Sequence, residues 1–385
     1  MSSPAPLRPR VLVVVLAGGA GSRLGPLTAT RAKPAVPFAG MFRLIDITLS
    51  NVSNSGLTDV WVVEQYEPHD LNDHLANGRP WDLDRTRGGL LILPPYQRRG
   101  DGDSDAALAA GNADALVHQR HAIAQFGPDV VITVSADHLY RLDLRDVLAT
   151  HQRAGARLTI VTTDPPAGDD PTRFAWVSLD GVGEVVDFAY KPDDPAGDRI
   201  CTEVFAFDGP DLLARLDALD GDESAGDYGD RLIPDLVAAG GVVEHRLEGY
   251  WRDVGTIAAF HRAHMELTAP DPPVTLDDPD WPFLTSDISV GPARVAATAR
   301  VAESLLGPGV DVAGTIEGSV LGRDVTVEEG AVVRRSVVLD GAVVRTGAEV
   351  IDAIVDAGVV IDSGTVGERY ESGIAVYSPG APVRP

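Results

Sequence analysis

"VLVVVLAGGAGSRL" (residues 11–24) joins an unbroken apolar run to a glycine-rich turn. A Val/Leu run of this kind reads as a strand buried on both faces, because an exposed face would demand alternation. Its position after Arg8 and Arg10 has the flavour of a signal peptide, but the apolar run is too short to span a bilayer. Three further runs behave alike: "DVWVVEQY" (59–66), "DVVITVSAD" (129–137) and "RLTIVTTD" (157–164). The segments between them are long enough for crossover helices. The pattern predicts an α/β fold with a doubly wound, mostly parallel sheet covered on both faces. Ligands of such sheets collect beyond the carboxyl ends of the strands, so "LAGGAGSRL" after the first strand and "SADHLY" after the third mark where chemistry belongs.

Near residue 268 the chain changes character. "TAPDPPVTLDDPDWPFLT" (268–285) is rich in Pro and Asp and reads as an ordered linker lying over a surface, anchored by Trp281 and Phe283. From about 293 short Val-rich pieces alternate with Gly and Asp. Apolar residues recur every six positions at Val310 and Ile316, at Val338, Val344 and Val350, and at Ile354, Val360 and Val366. That is the hexapeptide period of a β-helix, whereas a sandwich of short strands would repeat at about 8–12 residues. The expected division is 1–267, a linker over 268–292, and a β-helix over 293–385.

The formal charge of −25 argues against a nucleic-acid partner, whose binding rests on Lys and Arg neutralising phosphates. A small anionic substrate stays open, since charges beyond about 8 Å are screened at physiological salt. No segment spans a membrane. The single cysteine, Cys201, rules out an internal disulfide and fits a reducing, cytoplasmic setting. Only two cations are lysines, Lys33 and Lys191, and each precedes a proline. Lys is a compact point charge that enters places a planar guanidinium does not, and the following proline predicts an extended backbone.

Arg23, Arg31, Lys33 and Arg43 gather four cations after the first strand, where Gly18, Gly19 and Gly21 open the backbone N–H groups to phosphate. The spacing matches neither the P-loop nor the dinucleotide fingerprint, and a tight strand-to-helix turn would account for the glycines alone. Asp137 emerges at the end of the third strand and Asp253 lies in "GYWRDVGT". Two such carboxylates beside a nucleotide hold Mg²⁺ with phosphates completing its shell, although each alone also reads as a cap or surface charge. The pairs His118/His121 and His261/His264 lack a third ligand and are expected on solvated helix faces.

"LAGGAGSRLGPLTATRAKPAVPFAG" followed by "RLIDITLSNVSNSG", "GNADAL", "ADHLYRLD", "YKP", "LIPDL", "YWRDVGT" and "DPDWPFLT" resembles the sugar-1-phosphate nucleotidyltransferases over nearly the whole chain, and within them the glucose-1-phosphate adenylyltransferase branch. The resemblance implies adenylyl transfer from ATP to glucose 1-phosphate for α-glucan (glycogen) synthesis, a left-handed C-terminal β-helix and a homotetramer. It implies nucleotide contacts at Leu16, Ala17, Gly18, Gly19, Gly21, Gln97, Gly111 and Asp114. Arg23, Lys33 and Asp137 would be catalytic, with Mg²⁺ on Asp137 and Asp253. Lys191, Tyr190, Glu203 and Asp253 would face the sugar phosphate.

Departures from the family pattern surround the substrates. Tyr190 replaces a Glu, Cys201-Thr202-Glu203 replaces "SMG", and Ala175-Trp176 replaces the end of "FGV". Tyr96 changes "QQR", and Leu108 and Ala110 change the segment before "GNADA". Three readings follow: ATP with glucose 1-phosphate, the same chemistry on another sugar (an amino sugar paired with Glu203) or nucleotide, and a weakly catalytic regulatory subunit. Met41 in "AGM" stands where enterobacterial relatives carry a Lys, so their effector control does not transfer. Acyl transfer by the β-helix lacks a general base, because no His follows His264.

Overall fold

The computed structural model describes residues 9–18, 21–64, 68–94, 109, 111–222, 226–286, 289–367, 373–379 and 381–383. Its first half is built on a nine-stranded sheet. The parallel centre comprises β1 (Val11–Ala17), β2 (Asp59–Glu64), β3 (Gly89–Leu93) and β4 (Val130–Ser135). β1 lies between β2 and β4, all parallel, and β3 follows β2 at the edge. Next in the chain come a short strand, β5 (His138–Tyr140), then β6 (Leu158–Thr163), β7 (Trp176–Leu179), β8 (Val185–Ala189), β9 (Arg199–Asp208), β10 (Val242–Arg246) and β11 (Trp251–Asp253). β9 runs antiparallel to β4, β6 and β7, so the run at 158–163 joins the sheet through β9 and not beside β4. β10 pairs with β6 in parallel, and β5 and β11 form a separate antiparallel pair.

The continuous apolar character of β1 has the expected cause. Leu12, Val14 and Leu16 enter one core with Leu116, Phe205 and Leu232. Val13, Val15 and Ala17 enter another with Ile45, Val62 and Trp251. Helices α3 (Asn112–Phe126), α5 (Gly209–Ala218) and α6 (Leu232–Ala239) pack into the first core and α1 (Leu44–Asn54), α2 (Pro68–Leu75) and α4 (Leu144–Ala154) into the second, while α7 (Ile257–Leu267) packs in a third cluster with the C-terminal half. Trp281 and Phe283 anchor the Pro-rich segment: the indole N–H donates to Asn51 Oδ1 at 2.9 Å, and Phe283 meets Phe42 edge-on.

Residues 294–367 and 373–378 wind into three parallel sheets, the faces of a left-handed β-helix. Val343 pairs with Val360, Val332 with Glu349 and Val337 with Ile354, each 17 residues on. A coil here is therefore one residue shorter than three hexapeptides, and a strict period of six drifts out of phase. Val360 is the casualty: it is 43% exposed, while its neighbour Ile361 fills the interior. Val337, Leu339, Ile354 and Val376 form an apolar cluster with Phe38, Phe260 and Leu267, which fastens the β-helix to the first half.

The paired histidines on α7 correct the expectation of a solvated face. His264 is fully buried, accepts from the Ala39 N–H at 3.1 Å and donates to the Phe260 carbonyl at 2.7 Å; burial pushes its imidazole down to about 3. His261 donates to the Arg335 carbonyl at 2.7 Å, across to the β-helix. Both are structural, while His121 is exposed as expected.

Candidate active site

The carboxyl ends of β1 and β4 form one wall of a cleft of about 340 Å³. After β1 the chain must turn sharply, and Gly21 takes φ +62°, where a Cβ would also lie 2.7 Å from Thr28 Cγ2. Arg23 follows in a 3₁₀ turn over Ser22–Thr28. At the start of α3, Gly111 is needed for a different reason: a Cβ there would meet the Gly226 carbonyl oxygen at 2.4 Å. Asp137 sits between β4 and β5, and the antiparallel register of β5 with β11 sets Asp253 opposite His138. Two residues more than a hundred positions apart thereby come together.

Lys33 joins them. Its ammonium hydrogen-bonds Asp137 Oδ2 and lies 3.7 Å from Asp253 Oδ1. Asp253 also accepts from Arg173 at 2.9 Å, and the Ser135 hydroxyl donates to Asp137. Lys33 is only 6% exposed. Burial opposes its charge, but the two carboxylates outweigh burial and hold the ammonium above its ordinary range. Burial alone would likewise raise the Asp137 carboxyl; Lys33, His138 and the Ser135 hydrogen bond reverse this and hold it well below the usual carboxylate range. One oxygen or nitrogen from each of Asp137, His138 and Asp253 falls within 4.8 Å of the others, a donor set that fits a divalent cation.

Of the residues expected at the site, Leu16, Ala17, Gly18, Gly21, Arg23 and Lys33 line the cleft on the β1 side. Gly111, Asp137, Lys191 and Glu203 line it as well. Asp253 reaches its floor through Lys33. Asp114 is not among the lining residues and stands 3.6 Å from His118 on α3. Gly19, Gln97 and the altered positions Tyr96, Leu108 and Ala110 lie outside the described residues. Two of the four clustered cations turn elsewhere: Arg31 pairs with Asp356 of the β-helix at 3.2 Å, and Arg43 donates to the Ala35 carbonyl at 2.5 Å. Closeness in sequence did not fix direction.

Neither lysine has the extended backbone that its proline predicts. Lys33 opens a 3₁₀ turn over Lys33–Ala35, and Lys191 lies at φ +45°. Tertiary contacts override the local preference. Lys191 Nζ donates to the Tyr190 hydroxyl at 2.6 Å, which in turn donates to Asp227. Burial, with Asp227 close by, raises the Tyr190 phenol and keeps it a donor. Glu203 occupies a bulge in β9 at φ +58°, a region where a side chain other than Gly is strained, and faces the cleft. Burial raises its carboxyl, His138 opposes this, and Asp137 and Asp227 reinforce it.

Ser135, Asp227 and His138 were missed. Ser135 had a local signal, two positions before Asp137 on the same strand end; Asp227 lies in a turn, "GDYGD", with none. A larger cleft of about 780 Å³ opens beside α4 and β10, lined by Arg141, His245, Arg246 and Trp281 among others. Two of its arginines are ion-paired, Arg246 with Asp164 at 2.8 Å and Arg141 with Asp278, while Arg153 donates to the Thr150 hydroxyl at 3.2 Å.

A glycine turn and Asp137 beyond the ends of parallel strands, Asp253 set beside them by an antiparallel pair, and cations in the same cleft make an arrangement suited to phosphate-bearing nucleotides. Residues 12–269 match the family model for nucleotidyl transferases, and residues 291–377 match that for the GlmU-like C-terminal hexapeptide. The chain is 39% identical to a glucose-1-phosphate adenylyltransferase of Thermotoga neapolitana and 38% identical to one of Pseudothermotoga lettingae, each over 84% of this chain and 76% of the relative. A Bacillus thuringiensis protein of the same name is 36% identical over 84% of this chain and 85% of its own length. The chain belongs to the nucleotidyl transferase family, in its glucose-1-phosphate adenylyltransferase branch.

Proposed function

We propose that the chain transfers the adenylyl group of ATP to glucose 1-phosphate, giving ADP-glucose and pyrophosphate for α-glucan synthesis. The observation that carries this reading is the ammonium of Lys33 set between Asp137 and Asp253 on the floor of a cleft that also presents Arg23 and Lys191. A phosphate oxygen of the sugar phosphate attacks the α-phosphorus of ATP in line. The new P–O bond forms as the bond to the β-phosphate breaks, and its electron pair leaves with pyrophosphate. No covalent enzyme intermediate and no proton transfer are required, so the protein's task is positioning and charge neutralisation.

Backbone N–H groups of the glycine turn and Arg23 hold the triphosphate. Lys191, oriented by Tyr190, holds the sugar phosphate. Lys33 neutralises Asp137 and Asp253 and is positioned to turn to the reacting phosphates. Asp137 and Asp253 would hold Mg²⁺, which when bound supplies charge neutralisation on the phosphate oxygens. As in the implied family assembly, the unit in solution is proposed to be a homotetramer. No helix among the described residues is long and apolar enough to cross a membrane.

Glu203 favours one second reading. A partly buried carboxylate facing the sugar side, beside Lys191, suits a protonated amino group better than a hydroxyl. The test is product identification by mass spectrometry from ATP with glucose 1-phosphate and with glucosamine 1-phosphate. ADP-glucose with equimolar pyrophosphate supports the first reading, and product from the amino sugar alone supports the second. Absence of both from folded protein overturns adenylyl transfer.

A further inference from the structure

We propose that His138 is a third ligand of the divalent cation, so that Asp137, Asp253 and His138 form a two-oxygen, one-nitrogen site that ranks Mn²⁺ above Mg²⁺. The inference rests on the reading that this cleft holds a cation, and it names the ligand that changes which cation is preferred.

His138 is 5% exposed, and its ring is held on two sides. Nδ1 lies 3.1 Å from the Thr202 carbonyl oxygen. A carbonyl only accepts, so Nδ1 carries a proton and Nε2 is the ring nitrogen turned to the cluster. Trp251 stands edge-on to the imidazole at 5.0 Å between ring centroids. Thr202 is itself fixed, its hydroxyl donating to the Val161 carbonyl at 2.8 Å. Nε2 points at the carboxylates, 3.7 Å from Asp137 Oδ1 and 3.9 Å from Asp253 Oδ1. Both distances are too long for hydrogen bonds. One donor atom from each of the three residues lies within 4.8 Å of the others, close enough for one cation to gather them.

Three side-chain donor atoms thus converge on one point, Lys33 bonded to the other oxygen of Asp137 and Arg173 to the other oxygen of Asp253, which leaves the two Oδ1 atoms and Nε2 turned towards one another. A ring N–H given to a main-chain carbonyl, with the opposite nitrogen left bare, is how metal-binding histidines are oriented. Mg²⁺ prefers oxygen throughout its shell, whereas Mn²⁺ accepts imidazole more readily, and affinity along the first-row series rises further at Co²⁺.

The experiment uses the full-length protein without substrate. Mn²⁺ binding is titrated by the loss of free-ion electron paramagnetic resonance, Mg²⁺ affinity is obtained by competition, and pulsed resonance reads nitrogen coupled to bound Mn²⁺ in protein labelled with ¹⁵N-histidine. Expected are Mn²⁺ binding about tenfold or more tighter than Mg²⁺, and a coupling that takes the ¹⁵N signature. His138→Gln should lose the coupling and weaken Mn²⁺ about tenfold while moving Mg²⁺ by less than about threefold. Should the variant fail to fold, the labelled native protein decides alone. Mn²⁺ bound without nitrogen coupling, or no tighter than Mg²⁺, overturns the ligand assignment while leaving adenylyl transfer standing. No Mn²⁺ binding with or without ATP overturns the cation site itself.

Discussion

Both halves of the molecule are built from Val-rich strands, yet they treat polar groups in opposite ways. In the β-helix the interior is Val, Ile and Ala, and its buried serines form a ladder: Ser319 Oγ accepts from the Ser336 N–H at 3.1 Å, and Ser336 Oγ from the Ala353 N–H at 3.2 Å. Polar atoms there satisfy neighbouring coils. In the α/β half, buried titratable groups are met by side chains of other elements, as Asp46 is by His74 and Arg252 by Glu266. Those beyond the ends of parallel strands are Lys33 and His138, beside Asp137 at the cleft, and Glu64 at the end of β2. A solenoid closes its hydrogen bonds from coil to coil, whereas an open sheet leaves its strand ends facing a crevice. One half should therefore trade stability and the other activity.

Lys33→Met should break that division most severely, because it costs both. Asp137 would lose its counter-charge and Asp253 would keep only Arg173, and stability should fall by about 3–5 kcal/mol in chelator-treated buffer. Turnover should drop about 100-fold. Millimolar Mn²⁺ should recover much of the lost melting temperature but little of the rate, and scanning calorimetry beside an activity assay separates the two. Ile316→Ala sharpens the contrast from the other side: a fully buried β-helix residue is truncated, stability should fall by about 2–5 kcal/mol, and kcat/KM should stay within about twofold. A matching loss of activity at a temperature where the variant is folded would argue that the β-helix shapes the cleft.

Lys191→Arg should raise the sugar-phosphate KM about tenfold with kcat nearly unchanged, since the wider fork loses its place beside Tyr190. Steady-state kinetics with ATP saturating reads this directly. The smallest effect belongs to Glu64. Burial pushes its carboxyl up to about 7, against one hydrogen bond from Asn72 at 3.2 Å. The folded chain therefore holds this proton more tightly than the unfolded one, and stability declines as pH rises from about 4.5 to about 7. Glu64→Gln should raise the melting temperature by about 2 °C at pH 8 and by less at pH 5; equal shifts at both would remove Glu64 as the cause.

Much of the fold was legible because its signals are local. The run at 11–16 is buried on both faces, so its composition alone marks a central parallel strand. The β-helix was legible in kind but not in phase, because coils of 17 residues move the inward position from Val360 to Ile361. Asp137 and Lys33 could be picked out, one by its place after a strand and the other by the rarity of Lys. His138 could not. Its surroundings come from a bulge in β9 and from the pairing of β5 with β11, and nothing within a few residues encodes either. The same holds for Arg31 and Arg43, whose directions are set by the β-helix and by a turn.

The most direct test of the account is sugar-phosphate-dependent pyrophosphate release from ATP, comparing the native chain with Asp137→Asn. The account predicts release with glucose 1-phosphate or glucosamine 1-phosphate, and a loss of about 1000-fold in the variant while its circular dichroism is unchanged. A variant that turns over at the native rate would contradict the assignment of the reaction to the cluster of Lys33, Asp137 and Asp253.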